Sequence, residues 1–114
     1  MLVATIIGTA ERGGRSWLHL DVGAFNGMME TLLTQNRLVY PLADSGAAAE
    51  RGAYHITGPT CDSQDTMFFG VSLSRDLVPG DLVYIYTAGA YTTCYASTFN
   101  GFSVPMIYVL PERR

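Results

Sequence analysis

Cys61 and Asp62 stand side by side in the run Gly58-Pro59-Thr60-Cys61-Asp62-Ser63-Gln64-Asp65, a Gly-Pro turn carrying one thiol and two carboxylates. A thiol in a tuned environment is a proton donor or a nucleophile. A carboxylate projected from a rigid turn holds an ammonium group through charge-assisted hydrogen bonds. The residue types also suit a plain surface loop with a buried cysteine and aspartates that cap turns, and both readings stand at this point.

Two further clusters follow. Ala88-Gly89-Ala90-Tyr91-Thr92-Thr93 combines small residues, which leave backbone N–H groups approachable, with three hydroxyl groups. Such a surface suits a phosphate, and Tyr91 adds a phenolic donor; a glycine bulge under a packed tyrosine is the structural alternative. Ser97-Thr98-Phe99-Asn100-Gly101-Phe102 is an aromatic-flanked loop with an Asn-Gly turn, equally readable as two core phenylalanines around a bend. His19 and His55 lie on strand-like runs with no thiol or carboxylate at ligand spacing, so they are expected to pack or face solvent. No HExxH or CxxC pattern occurs, and no metal is expected.

The seven Lys+Arg are all arginine, so the chain has no lysine. Schiff-base chemistry would therefore need an amine from another segment or chain. Cys61 and Cys94 read most simply as two reduced thiols, with a single disulfide as the alternative. The charged fraction is 15%, the apolar fraction 48% and the net charge −3. With basic residues scattered and only Arg113 and Arg114 adjacent, nothing resembles a phosphate-backbone footprint, and nucleic acid is not an expected partner. Met1–Ile7 is apolar but stops at Gly8, too short for a signal core or a membrane span. A cytoplasmic protein without a membrane partner is expected.

Short strands must position these clusters. Leu2–Ala10 is a β-branched run closed by Arg12-Gly13-Gly14, and Ser16–Val22 alternates, with Trp17 and His19 on one face and Leu18 and Leu20 on the other. The two predict a hairpin. Asn26–Leu33 is the one predicted helix, with Met28, Met29, Leu32 and Leu33 on one side. Leu38–Pro41 reads as a brief strand and Ala43–Gly52 as the most mobile loop. Further strands are predicted at Tyr54–Thr57, Thr66–Leu73, Leu82–Thr87 and Val104–Leu110, with a turn at Val78-Pro79-Gly80-Asp81. The pattern predicts one mainly β domain over residues 1–114, an antiparallel, Greek-key-like sandwich or barrel with at most one short helix. Its edges need cover, and an oligomer interface is one way to supply it.

GPTCDSQD, AGAYTT and ASTFNGF, in this order and spacing, resemble the C-terminal domain of the fold-type III pyridoxal-phosphate (PLP) decarboxylases. These act on ornithine, lysine, diaminopimelate and arginine. The resemblance extends through Ala10-Glu11-Arg12-Gly13-Gly14, Trp17-Leu18, Asp21 to Gly27 and Glu30-Thr31, and is weakest in Ala43–Gly52. It implies a partner N-terminal PLP barrel that holds the covalent lysine, a head-to-tail homodimer and an active site at the subunit interface. It also implies roles: Tyr91 contacts the cofactor phosphate within its own subunit, and Cys61 donates a proton at the substrate Cα across the interface. Asp62 holds the distal amine of a diamino acid, while Asp65 and Phe99 line or brace the interface. Cys94 falls where relatives carry a small residue, which implies a packed thiol.

Asp62 is what ornithine and ornithine/lysine decarboxylases carry after the cysteine, whereas diaminopimelate decarboxylases typically carry glutamate. Ornithine is therefore the first expected substrate, lysine the second and diaminopimelate the third. The barrel and its lysine are missing from this sequence, as is the N-terminal strand that relatives usually contribute to the β-domain. The chain is thus expected to be part of a larger decarboxylase and inactive alone. The alternative is a free-standing regulatory or binding module that docks on a decarboxylase.

Overall fold

The computed structural model describes residues 1–35, 37, 39–60, 62–89 and 92–112. Six strands form one sheet in the order β3-β6-β1-β2-β4-β5. They are β1 (Leu2–Arg12), β2 (Arg15–Leu20), β3 (Leu42–Asp44), β4 (Arg51–Thr57), β5 (Thr66–Ser74) and β6 (Leu82–Ile85).

β1 is long enough to serve two neighbours. Its first half pairs with β6, from Leu2↔Ile85 to Thr5↔Leu82, and its second half with β2, from Ile6↔Leu20 to Arg12↔Arg15. The predicted hairpin is therefore present. Gly13 and Gly14 turn it with φ of 58° and 75°, the left-handed region that a tight two-residue connection requires. A register shift between Ile6 and Gly8 marks where β1 passes from one partner to the other. The turn predicted at Val78–Asp81 is also present: Asp81 N donates to Val78 O (3.1 Å), and Gly80 takes φ 99° after Pro79.

Alternation places the core. Ala4 and Ile6 of β1, Leu18 and Leu20 of β2, Ile56 of β4, Leu73 of β5, and Val83 and Ile85 of β6 are 0–1% exposed. Each fully buried Leu or Ile contributes about 1.5–3 kcal/mol. The two ends of the sheet then approach each other. Asp44 of β3 accepts from Ser74 N at the end of β5 (3.1 Å) and from Gly46 N (2.8 Å), with Arg51 Nη1 at 3.7 Å. This seam brings the sheet close to a barrel, and the mainly β expectation holds.

Four features differ from the sequence expectation. First, β2 and β4 pair in parallel, from Ser16↔Tyr54 to His19↔Thr57, so the sheet is mixed where an antiparallel one was predicted. Residues 21–50 intervene and carry β3 to the far side of the sheet, and such a crossover returns the chain in its original direction. Second, the predicted Asn26–Leu33 helix shrinks to a single turn, α1 (Glu30–Leu33). The Asn26 side chain takes the Gly23 N–H (2.7 Å) and closes a local turn that competes with helix.

Third, the strand predicted at Leu38–Pro41 forms instead at Leu42–Asp44, where β6 accepts it; Leu38 lies outside the described residues. Ala43 and Asp44 of the predicted loop thus belong to β3, and Arg51 and Gly52 to β4. Fourth, Val104–Leu110 forms no strand. Met106, Ile107, Tyr108, Val109 and Leu110 are 70–91% exposed, because a β-prone run becomes a strand only where an open edge accepts its backbone.

Candidate functional site

The parallel pairing decides where the loops go. β2 and β4 end at the same end of the sheet, so the segments that follow them, 21–29 and 58–65, emerge side by side. Gly23 and Gly58 allow their backbones to touch. A Cβ built on Gly23 would fall 2.5 Å from Gly58 Cα, and one on Gly58 would fall 2.5 Å from Asp65 Oδ2. Only glycine fits at either place.

Asp65 fills the junction. It is 1% exposed and turns inward. Its Oδ1 accepts from Ala24 N (2.7 Å), and its Oδ2 from Thr60 Oγ1 (2.6 Å) and Thr60 N (3.2 Å). Its backbone closes the loop: Gly58 N donates to Asp65 O (2.8 Å) and Asp65 N to Asp62 O (3.0 Å). A buried carboxylate is tolerable only when donors saturate it, and here three do so.

Asp62 points the other way. It is exposed, and its Oδ1 accepts from Gln64 N (2.8 Å), an Asx turn that sets the direction of the side chain. Cys61 lies outside the described residues.

A third segment crosses both loops. The Asn100-Gly101 turn is present within a 3₁₀ turn (Phe99–Gly101); Asn100 takes φ 58° and donates its Nδ2 to Thr60 O (2.8 Å). Ser97 N donates to Phe25 O (2.7 Å), and the Phe25 and Phe99 rings meet at 4.6 Å. Asn26, 1% exposed, donates to Asp21 O (3.2 Å) and Ser103 O (3.0 Å). Phe99 itself remains 40% exposed, an aromatic face beside the Asp62 loop. Asp62 and Asp65 thus share one loop, and the Asn100 bond ties the segment that carries Phe99 to it. Thr60, Asn26 and Asn100 are the members that residue-type reasoning did not single out; the Asn-Gly turn signal was the one available hint for Asn100.

Ala88, Gly89, Thr92 and Thr93 line a groove of about 870 Å³ together with Asp21, Asn26, Gly27 and residues of the 103–108 segment. Ala90 and Tyr91 lie outside the described residues. Thr92 donates its hydroxyl to Gly89 O (2.8 Å), and a Cβ on Gly89 would meet nothing within 4 Å. The Thr93 hydroxyl, the small residues and the open backbone are groups that can hydrogen-bond a phosphate such as that of PLP, and the chain has no lysine with which to hold a cofactor covalently.

Cys94 corrects an expectation: it is exposed and not packed, because residues 92–95 form successive turns outside the sheet. The histidines are taken up in packing. His55 Nδ1 accepts from Gly70 N (3.0 Å) and its ring lies 4.9 Å from Trp17. His19 Nδ1 meets Thr57 Oγ1 (2.7 Å); burial, then the charge of Arg12, hold its pKa below the usual 6.5. Among the described residues no group of three His, Cys, Asp or Glu is assembled, and no helix is long and apolar enough to cross a membrane.

Fold and site together define a mixed, nearly closed β-domain that presents polar loops with the exposed carboxylate of Asp62 and the part-exposed ring of Phe99. The family model for the pyridoxal-dependent decarboxylase C-terminal sheet domain matches residues 1–89, and the chain belongs to that family. It is similar to lysine/ornithine decarboxylase of Selenomonas ruminantium, 34% identical over 104 residues, which is 89% of this chain and 25% of the relative. Ornithine decarboxylase of Neurospora crassa is 42% identical over 72 residues, 61% of this chain and 15% of the relative. The crystal structure of lysine/ornithine decarboxylase from Vibrio vulnificus, complexed with cadaverine, superposes with a TM-score of 0.84 at 37% identity, covering 96% of this chain and 29% of that one. The chain therefore spans between 15% and 29% of the length of these relatives.

Proposed function

We propose that this chain is the C-terminal β-domain of a PLP-dependent ornithine decarboxylase, which converts L-ornithine to putrescine and CO₂ for polyamine biosynthesis in the cytoplasm. An N-terminal barrel carries the covalent lysine, and two such subunits form a homodimer with the active site at their interface. The carrying observation is the exposed Asp62 on a loop that buried Asp65 locks down, tied through Asn100 to the segment that carries Phe99. The family assignment, and relatives named for ornithine and lysine, support the same reading.

PLP, when bound, supplies the electron sink that makes loss of CO₂ possible. The roles of this chain are to bind, orient and deliver a proton. Tyr91 and the Thr93 hydroxyl donate to the cofactor phosphate. Asp62 pairs with the distal ammonium of the substrate, an interaction of about 1.5–3 kcal/mol when charge-assisted. A substrate with a neutral side chain would leave that carboxylate unpaired and is rejected. Cys61 delivers the proton to the substrate Cα after CO₂ departs. Asp65 fixes the loop that bears both groups, and Phe99 lines the interface. Without barrel and lysine, the isolated chain is inactive.

The test begins with the native protein. An antibody against this chain should detect a band several times heavier than 12.4 kDa in the source cells, and the captured enzyme should release CO₂ from ornithine faster than from lysine. In that enzyme Asp62→Ala should raise KM for the diamino acid roughly 10- to 100-fold, the factor that corresponds to about 1.5–3 kcal/mol. A native band at 12.4 kDa would indicate a separate module that docks on a decarboxylase. A preference for lysine would move the substrate and leave the chemistry.

A further inference from the structure

We infer that Thr60 is a positioning residue for the reactive dipeptide that follows it, an inference that rests on the decarboxylase reading above. Thr60 is 3% exposed, and each of its polar groups is engaged. Its N–H and its hydroxyl donate to one oxygen of Asp65, at 3.2 and 2.6 Å. Its carbonyl accepts from Asn100 Nδ2 at 2.8 Å. The same hydroxyl accepts from Asp62 N at 3.4 Å. One hydroxyl therefore ties together the backbone that enters position 61 and the backbone that leaves it.

The chemistry needs such a tether. A thiol that hands a proton to one face of a carbon must sit within a few tenths of an ångström of its place, and a misplacement of about 1 Å costs on the order of 100-fold in rate. Asp65 alone fixes only the inner side of the loop. The Asn100 bond adds the outer side and couples the dipeptide to the segment that carries Phe99. Threonine suits the task better than serine, because the β-methyl stiffens χ1 and keeps the hydroxyl aimed.

Thr60→Val keeps the shape and removes the hydroxyl, while Thr60→Ser keeps the hydroxyl. In the full enzyme, Thr60→Val should lower kcat about 10- to 100-fold, and Thr60→Ser should stay within a few-fold of the parent. Turnover in D₂O supplies a readout that a merely structural role would not move. The parent should place one deuterium stereospecifically on the carbon that lost CO₂, and Thr60→Val should scramble it. Amide exchange supplies a second readout, independent of turnover: the Asp62, Gln64 and Asp65 amides should exchange at least about tenfold faster in Thr60→Val and unchanged in Thr60→Ser.

Should Thr60→Val fail to fold, Asn100→Gly keeps the left-handed backbone and removes only the donor to the Thr60 carbonyl. It should shift the same readouts in the same direction. Parent-like kcat, label and exchange in the folded variant would overturn the inference. A parent enzyme that releases no CO₂ from ornithine or lysine would overturn the decarboxylase reading instead, and amide exchange would still decide whether Thr60 holds the loop.

Discussion

Asp65→Asn isolates the contribution of the buried carboxylate, since the two side chains have the same shape. Asp65 accepts from Ala24 N on one oxygen and from Thr60 Oγ1 and N on the other. An asparagine can present its oxygen to only one of these sides, and its NH₂ then faces donors on the other. The cheaper orientation keeps the oxygen on Ala24 N, because the Thr60 hydroxyl can rotate and accept while the Thr60 N–H cannot. The change then removes one charge-assisted bond, weakens another and leaves one buried N–H unpaired. Unsatisfied buried donors cost about 1–3 kcal/mol and lost charge assistance about 1 kcal/mol more, so the expected loss is about 2–4 kcal/mol. Gly23 and Gly58 bring their backbones so close to both oxygens that a Cβ on either would clash with them.

Equilibrium urea unfolding followed through Trp17, the chain's one tryptophan, reads this directly. With a slope of about 1–3 kcal/mol/M, the midpoint should fall by on the order of 1–2 M. Asp62→Asn on the same loop is the control: Asp62 is exposed, and its change should stay within about 0.5 kcal/mol. A loss below about 1 kcal/mol for Asp65→Asn, or equal losses for the two variants, would refute the claim that the inward carboxylate holds the loops.

Gly58→Ala should destabilise by about 1–3 kcal/mol or more, because the new Cβ meets Gly23 backbone and both Asp65 oxygens, whereas Gly89→Ala should be tolerated in open space; melting temperatures of the pair decide it. Acidification should weaken the fold in two windows, read from unfolding midpoints across pH. The folded His19 binds its proton less readily than the unfolded one, so stability falls as pH drops below about 6.5 and levels off below the lowered folded value; His19→Gln should abolish this step. For Asp44, burial raises the carboxyl, but hydrogen bonds from Ser74 and Gly46 and the charge of Arg51 outweigh it and leave the pKa below 3.8. Its stabilisation is present above that value and is lost as pH falls through the lower folded one, and Asp44→Asn should remove this second step.

Much of the barrel was legible because burial in a sheet writes itself as alternation. Leu18 and Leu20 face in while Trp17 and His19 face outward, as their spacing predicts, and the Gly-Gly and Pro-Gly turns fall where their φ requirements put them. The tail was misread for the same reason that the strands were found. Val104–Leu110 has strand composition, but pairing is a property of an available edge and not of the segment itself. Cys94 was misread because a small-residue position in relatives says nothing of which way a turn faces.

The site was less legible than the barrel, and a single topological fact accounts for most of the difference. The residue types of GPTCDSQD show that a thiol and carboxylates lie on a turn, and the family resemblance assigns them roles, but neither shows that Asp65 faces inward while Asp62 faces outward. That division follows from what stands behind the loop. Had β2 and β4 been antiparallel, as expected, the segment after Leu20 would leave the opposite end of the sheet from the segment after Thr57. Gly23 would not meet Gly58, and Asp65 would have no Ala24 N–H to accept. The parallel pair thus creates the buried donors that saturate Asp65; Asp65 and Asn100 in turn hold Thr60, and the Thr60 hydroxyl accepts from Asp62 N. A strand direction set by a long crossover, which no local pattern reports, is therefore what fixes the geometry of the loop that carries Cys61 and Asp62.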